Sequence, residues 1–261
     1  MKILFIGDIV GKPGRRAVKT KLPSLVTGCD IDLVVANCEN AAGGYGVTKE
    51  IATELLNSGI DVLTSGNHIW DKKEVRDFID DCDRLLRPLN YPPGTPGRGS
   101  VVARTCGDRP AAVLNIEGRV FMRSLDCPFR AASQEISDLK KASKIIIVDV
   151  HAEATSEKEA LGWYLDGTVS AVVGTHTHVQ TADERVLPGG TAYITDVGMT
   201  GARDSILGMR KEGVLERFLT CAPNRFEVAN HDVWLQGVVV DVDEESGLSR
   251  SIERISLHID D

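Results

Sequence analysis

No Cys-x-x-Cys pair occurs in this chain. Its six cysteines, Cys29, Cys38, Cys82, Cys106, Cys127 and Cys221, are scattered through 261 residues. Their scatter excludes a disulfide scaffold and disfavours a thiolate metal site. It predicts reduced, mostly buried thiols in a cytoplasmic protein. Positive charge is also in short supply: 30 Lys and Arg stand against 38 Asp and Glu, a formal charge of −8. That balance argues against duplex DNA or an anionic membrane as the main partner, but not against a small phosphate ester held by a metal. No apolar stretch reaches transmembrane length. The opening Met1–Ile6 run stops at Gly7-Asp8, too soon for the core of a signal peptide, and reads as a first strand. Internal repeats and low-complexity tracts are absent, as are a GxxxxGK(S/T) phosphate loop and a GxSxG elbow. Gly7, Gly11 and Gly14 have the spacing GxxxGxxG, not the dinucleotide GxGxxG.

What is there is a rhythm. Short aliphatic runs, Ile3–Ile6, Leu33–Ala36, Val62–Leu63, Ile145–Val148 and Ala171–Val173, alternate with amphipathic stretches. The runs read as buried strands. Thr48–Asn57 reads as a helix, with a Thr cap, Ile51, Leu55 and Leu56 at helical spacing, and a stop at Gly59. Asp71–Asp80 and Ser156–Leu165 read similarly. The alternation predicts an α/β fold with several parallel strands. Arg87–Gly99, with four prolines and three glycines, reads as a kinked loop, because strand-like segments resume at Ser100–Ala103, Ala112–Ile116 and Arg119–Met122. Thr191–Thr195, Val233–Val242 and Ser251–Ile259 add a strand-rich C-terminal part. One domain with two sheets, spanning 1–261, is the expected organisation.

The functional signal lies in the polar residues at the end of each strand. Ile6 leads to Gly7-Asp8, Ala36 to Asn37-Cys38-Glu39-Asn40, and Leu63 to Thr64-Ser65-Gly66-Asn67-His68. Val148 leads to Asp149-Val150-His151, and Val173 to Gly174-Thr175-His176-Thr177-His178. Parallel α/β sheets bind ligands at the carboxyl ends of their strands, and Asp, Glu, Asn and His are all oxygen or imidazole donors to a metal. Each alone has a plainer reading as a turn former or a core histidine. His176 and His178 carry more weight, because residues i and i+2 of an extended chain face the same side. His231 and His258, outside this pattern, read as structural.

These blocks resemble the calcineurin-like metallophosphoesterase superfamily, whose order is D-x-H, a carboxylate block, G-N-H, a single His and G-H-x-H. Here they stand as Asp8-Ile9-Val10, Glu39-Asn40, Gly66-Asn67-His68, His151 and Thr175-His176-Thr177-His178. Val10 replaces the first-block His, and Glu39-Asn40 the usual bridging Asp. Those departures resemble the YmdB-like branch, bacterial proteins described as 2′,3′-cyclic-nucleotide phosphodiesterases. The likeness extends over Gly7–Gly11, Asn37–Gly44 and Thr195–Gly201.

The resemblance implies a four-layer αββα sandwich of two mixed sheets, a dinuclear metal centre and phosphodiester hydrolysis. Carried over residue by residue, it implies one metal held by Asp8, Asn40 and His178, a second by Asn67, His151 and His176, and Glu39 shared between them. Iron is the implied metal, with manganese as a stand-in. A hydroxide held between two cations would attack phosphorus, with His68 as the acid that protonates the leaving oxygen. The Gly43-Gly44-Tyr45-Gly46 segment would cover the substrate, or serve as a plain surface loop. Lys12, Arg15 and Arg16 are the only basic residues near the blocks and are expected to begin a solvated helix. With no further cationic anchor, diesters such as 2′,3′-cyclic nucleotides are expected to be preferred to dianionic monoesters. The competing reading is a signalling or RNA-associated binding protein whose metal site is structural or vestigial. An even-numbered homo-oligomer is expected from symmetry alone.

Overall fold

The computed structural model describes residues 1–105 and 107–259. Strands β1 (Lys2–Ile6), β2 (Asp8–Ile9), β3 (Leu33–Asn37) and β4 (Val62–Thr64) open the first sheet. The chain then builds a second sheet from β5 (Ser100–Arg104), β6 (Pro110–Glu117), β7 (Ile146–His151), β8 (Ala171–Thr175), β9 (Arg185–Val186) and β10 (Ala192–Ile194). It returns to the first sheet with β11 (Met199–Ala202), β12 (Val233–Val242) and β13 (Ser249–His258).

The first sheet runs β2-β11-β12-β1-β3-β4, with β13 also on β12, and the second runs β5-β6-β7-β8-β10-β9. The strands that deliver the polar blocks are parallel to their neighbours: β1 with β3, β3 with β4, β6 with β7 and β7 with β8. Antiparallel pairing joins β1 to β12 inside the first sheet, and β5 to β6 and β9 to β10 at the edges of the second, so both sheets are mixed.

Helices α1 (Gly11–Cys29) and α2 (Lys49–Asn57) cover one outer face, while α4 (Pro128–Leu139) and α5 (Thr155–Leu165) cover the other. Short α3 (Val75–Phe78) and the later α6 (Lys211–Thr220) lie between strands in the chain. Three apolar layers result. Leu4, Ile6 and Val34 pack with α1 and α2; Phe5, Val35, Val113 and Ile147 fill the space between the sheets; Leu114, Val148 and Val172 meet α4 and α5. Successive strand residues thus serve opposite layers, which is why these runs are apolar throughout. The architecture is the αββα sandwich expected. Among the described residues no helix is long and apolar enough to cross a membrane.

Thr48 caps α2 through its side chain, which accepts from the Ile51 N–H at 3.3 Å, and Gly59 follows with φ +103°. The Arg87–Gly99 loop is indeed irregular. The Arg87 guanidinium holds it by donating to the carbonyls of Pro88, Leu89, Thr95 and Pro96.

Several expectations fail. Asp71–Asp80 is not a full helix: only Val75–Phe78 is helical, followed by a 3-10 turn at Ile79–Asp81. Its buried apolar residues, Val75, Phe78 and Ile79, lie at one end, so nothing anchors the first turn. Arg119–Met122 is a turn, not a strand. The Glu157 carboxylate accepts the N–H groups of Arg119 and Val120, and Gly118 donates back to the His151 carbonyl. The thiols are free but not mostly buried. Cys38 is buried, Cys29, Cys82 and Cys127 are half-buried and Cys221 is exposed, because four of them sit at helix ends or in loops; Cys106 lies outside the described residues.

Candidate metal centre

The polar blocks converge where the carboxyl ends of the two sheets meet. Gly7 permits this on the first strand: a Cβ there would lie 2.1 Å from the Gly198 carbonyl oxygen. Asp8 follows, fully buried. Its Oδ2 accepts the His176 N–H at 3.3 Å, while its Oδ1 has no hydrogen-bond partner. Burial drives the Asp8 carboxyl well above its ordinary range. An unpartnered, buried carboxyl oxygen 3.8 Å from His178 Nε2 suits a cation ligand. Val10, in place of the superfamily His, packs beside Gly208.

After β3, Asn37 turns the chain: its Oδ1 accepts the Glu39 N–H at 3.0 Å. Glu39 is buried, with Oε2 accepting the His68 N–H at 3.0 Å and Oε1 3.1 Å from His151 Nε2. Burial acts to raise its carboxyl, but the His151 charge and hydrogen bond outweigh that and hold it down at about 2. Asn40 donates from Nδ2 to the Gly44 carbonyl at 3.0 Å, which turns its Oδ1 to His178 Nε2 at 3.3 Å.

His151 ends β7 at full burial. Thr175 Oγ1 donates to Asp149 Oδ1 at 2.7 Å, so it accepts the Nδ1–H of His151 at 2.9 Å. That relay fixes the tautomer and presents Nε2 to the centre. Around Nε2 lie Asn67 Oδ1 at 3.0 Å, His176 Nδ1 at 3.0 Å and Glu39 Oε1 at 3.1 Å. One N–H cannot serve three acceptors. Separations of about 3 Å are, however, the edge length of a coordination shell with bonds of about 2.1 Å. Glu39, His151 and His176 ligand atoms all lie within 4.8 Å of one another.

Gly66 makes room for this ring, since a Cβ there would fall 2.1 Å from His151 Cδ2. Gly66→Ala is therefore expected to displace His151 and weaken cation binding more than tenfold. Calorimetric titration with Mn²⁺ measures it; unchanged affinity would remove His151 from the donor set.

His176 and His178 come directly after β8, and here the extended-chain expectation fails. Their φ angles are +95° and +63°, left-handed for both, at a cost of about 1–3 kcal/mol each. Both rings still line the same cleft, because Thr177 between them is clamped. Asp196 Oδ2 accepts the Thr177 N–H at 3.0 Å and the Thr177 hydroxyl at 2.6 Å. The buried Lys158 ammonium reaches the same oxygen at 2.9 Å. Burial, then the His151 charge, lowers His176 to about 3, and burial also lowers His178. Both imidazoles are thus neutral and ready to donate lone pairs.

His68 stands beside the cluster. Its Nδ1 lies 2.7 Å from Asp71 Oδ2 and its ring meets Tyr45 edge-on at 5.1 Å. All eight residues singled out in the sequence come together here. Asp71, Asp149, Lys158, Asp196 and Glu153, whose Oε2 is 3.1 Å from His176 Nε2, complete the surroundings and were not among them. The signals available were weak: Asp71 is three residues past His68, and Glu153 two past His151.

A cleft of about 870 Å³ opens beside the cluster, with Glu39, Asn40, His68, His176 and His178 as the polar part of its lining and Gly44 and Tyr45 among the rest. Lys12, Arg15 and Arg16 lie on α1 away from it; Arg15 instead donates to the Ala41 carbonyl at 2.6 Å and pairs with Glu54. The expectation of no further cation is corrected by Arg217 of α6, which also lines the cleft. His231 and His258 lie outside the cleft.

Comparison with known proteins agrees with this geometry. A model of the YmdB-like protein family matches residues 4–255. A Bacillus subtilis (strain 168) protein named 2′,3′-cyclic-nucleotide 2′-phosphodiesterase is 54% identical over 260 residues, covering 100% of this chain and 98% of the relative. The crystal structure of a hypothetical protein from Thermus thermophilus superposes with a TM-score of 0.93 at 44% identity, covering 99% of both chains. That of a phosphatase from Mycoplasma pneumoniae gives 0.92 at 34% identity, covering 100% of this chain and 94% of the other.

Proposed function

The chain belongs to the YmdB-like protein family, and from that premise we propose that it is a metal-dependent phosphodiesterase acting on 2′,3′-cyclic nucleotides, built as one domain across residues 1–261. The observation that carries this reading is the convergence on His151 Nε2 of three acceptor atoms at 3.0–3.1 Å, beside the orphaned Asp8 Oδ1. Asp8, Asn40 and His178 would hold one ion; Asn67, His151 and His176 the other; Glu39 lies between the sets. The donors are all oxygen or nitrogen, which suits iron or manganese and disfavours metals that demand thiolate.

When bound, such ions activate water and neutralise charge on the phosphoryl oxygens. This chain's residues do the rest. Neutral His176 and His178 present lone pairs without competing for protons. Asp71 accepts the Nδ1–H of His68 and turns the other ring nitrogen towards the leaving oxygen, which His68 protonates. The Gly44–Tyr45 rim narrows the entrance beside His68.

Metal uptake is expected to depend on pH through His151. Burial opposes its charged form, yet Glu39, then Asp8 and Asp149, raise it from 6.5 to about 9. In the metal-free chain the ring is therefore charged at neutral pH, and a cation must displace that proton. Affinity should rise roughly tenfold per unit from about pH 7 and level off near pH 9. Stability that the charged ring contributes is complete below 6.5 and lost as pH rises through about 9 in the metal-free chain. Titrations across this range measure the slope; a flat profile would contradict it.

The test of function is metal analysis of the purified protein followed by assay on 2′,3′-cyclic AMP, bis-p-nitrophenyl phosphate and p-nitrophenyl phosphate. Two ions per chain and preference for the diesters are expected. Absence of bound metal after supplementation, or preference for the monoester with no turnover of 2′,3′-cyclic AMP, would overturn the reading.

A further inference from the structure

Part of the cleft lining is apolar and unlike the polar donors beside it. It is made by one face of α6 together with the loops on either side. Val214, Arg217, Phe218 and Cys221 recur at intervals of three and four residues, so a single helical stripe faces the cleft. Leu207 and Phe226 extend it.

This wall is not packed as core is. Phe218 is 78% exposed and Leu207 49%, and of the helix only Val214 is buried. An aromatic ring left in water costs free energy unless something else covers it. The Arg217 guanidinium stacks over the Phe226 ring at 5.3 Å. Among the described residues Arg217 forms no ion pair, so its flat cationic face adds to the stacking surface.

The occupant must match both halves of one cleft. The polar part of its lining offers a set of donors suited to an ion-bound phosphate. The same lining offers Tyr45, Phe218 and Arg217, suited to a flat aromatic group. A nucleotide has this composition, an anionic head joined through ribose to a planar base, and about 870 Å³ is ample for one. We propose that the Phe218–Arg217 face of α6 is the recognition surface for the nucleobase of the substrate, which makes those two residues its specificity determinants. The inference rests on the phosphodiesterase reading for where the phosphate lies, and adds how a nucleotide is told from a simple ester. Stacking accepts any base, so the wall selects nucleotides over base-free esters more strongly than one base over another.

The metal-loaded protein is tested with 2′,3′-cyclic AMP and with the 2′,3′-cyclic phosphate of 1-O-methylribose, which lacks the base. The wild type is expected to favour the nucleotide in kcat/KM, and Phe218→Ala to reduce that ratio by about tenfold to a hundredfold. Arg217→Ala should reduce it less, and mainly through KM. Saturation-transfer NMR with adenosine, which has no phosphate, gives a readout free of catalysis: stronger transfer to base than to ribose protons, lost in Phe218→Ala. If neither ester is hydrolysed, the phosphodiesterase reading fails while the adenosine measurement still decides the wall. A wild-type ratio near one, or a preference that survives Phe218→Ala, overturns the inference. So does a fall in oligomeric mass on Phe218→Ala, which would make this face a contact between copies of the chain.

Discussion

His68→Ala is expected to retain both proposed metals and to lose roughly 10²–10⁴ in kcat, the usual range for a general acid. Retention follows from position: only the backbone N–H of His68 touches Glu39, and alanine keeps it. The loss should depend on the leaving group. A nitrophenolate departs with little protonation, whereas a ribose oxygen needs a proton, so the deficit should be larger for 2′,3′-cyclic AMP than for bis-p-nitrophenyl phosphate. Asp71→Asn should reproduce a smaller part of the same deficit, because the 2.7 Å contact to Nδ1 orients the ring rather than meeting substrate. Equal loss on both esters would remove His68 from the role of acid, and loss of metal would make it a ligand.

The largest structural effect is expected at Lys158. Lys158→Met leaves Asp196 as a buried carboxylate without its counter-ion, a change that typically costs about 3–5 kcal/mol. For a chain of this size that corresponds to a fall of roughly 6–20 °C in Tm. The consequence should reach the metal centre, because the Asp196 oxygen that pairs with Lys158 also holds Thr177 between two left-handed histidines. Mn²⁺ stoichiometry should fall together with Tm. A Tm within about 2 °C of the wild type, with full metal content, would show that the Asp196 clamp stands without Lys158.

The two cases differ in how far sequence could foresee them. Asp8, Glu39, Asn67, His151 and His176 stand two to four residues past aliphatic runs, and a buried parallel strand ends where its polar residue emerges. The donors were therefore legible through the strands that carry them. Lys158 and Asp196 meet across 38 residues, and Lys158 sits on a helix where lysine is ordinarily solvated. Only the packing of α5 on the second sheet makes it a buried partner. Arg217 escaped for the opposite reason: Val214, Leu215, Phe218 and Leu219 have helical spacing, but an arginine among them on a helix that buries little beyond Val214 carries no mark of the cleft. The left-handed turn at His176 and His178 has no signature either, since neither is glycine and the clamp that imposes it lies elsewhere in the chain.

The order in which the chain visits its two sheets has a consequence for biosynthesis. Every proposed ligand lies between Asp8 and His178, yet β1, which leads into Asp8, is flanked by β3 on one side and by β12, Val233–Val242, on the other. During translation the donors emerge long before the strand that completes their platform. A nascent chain stopped ahead of Val233 would hold all seven candidate ligands but lack the antiparallel partner that β1 and β11 share. Ion choice by the finished site then waits until β12 pairs with β1 and β11, after every proposed ligand has been made.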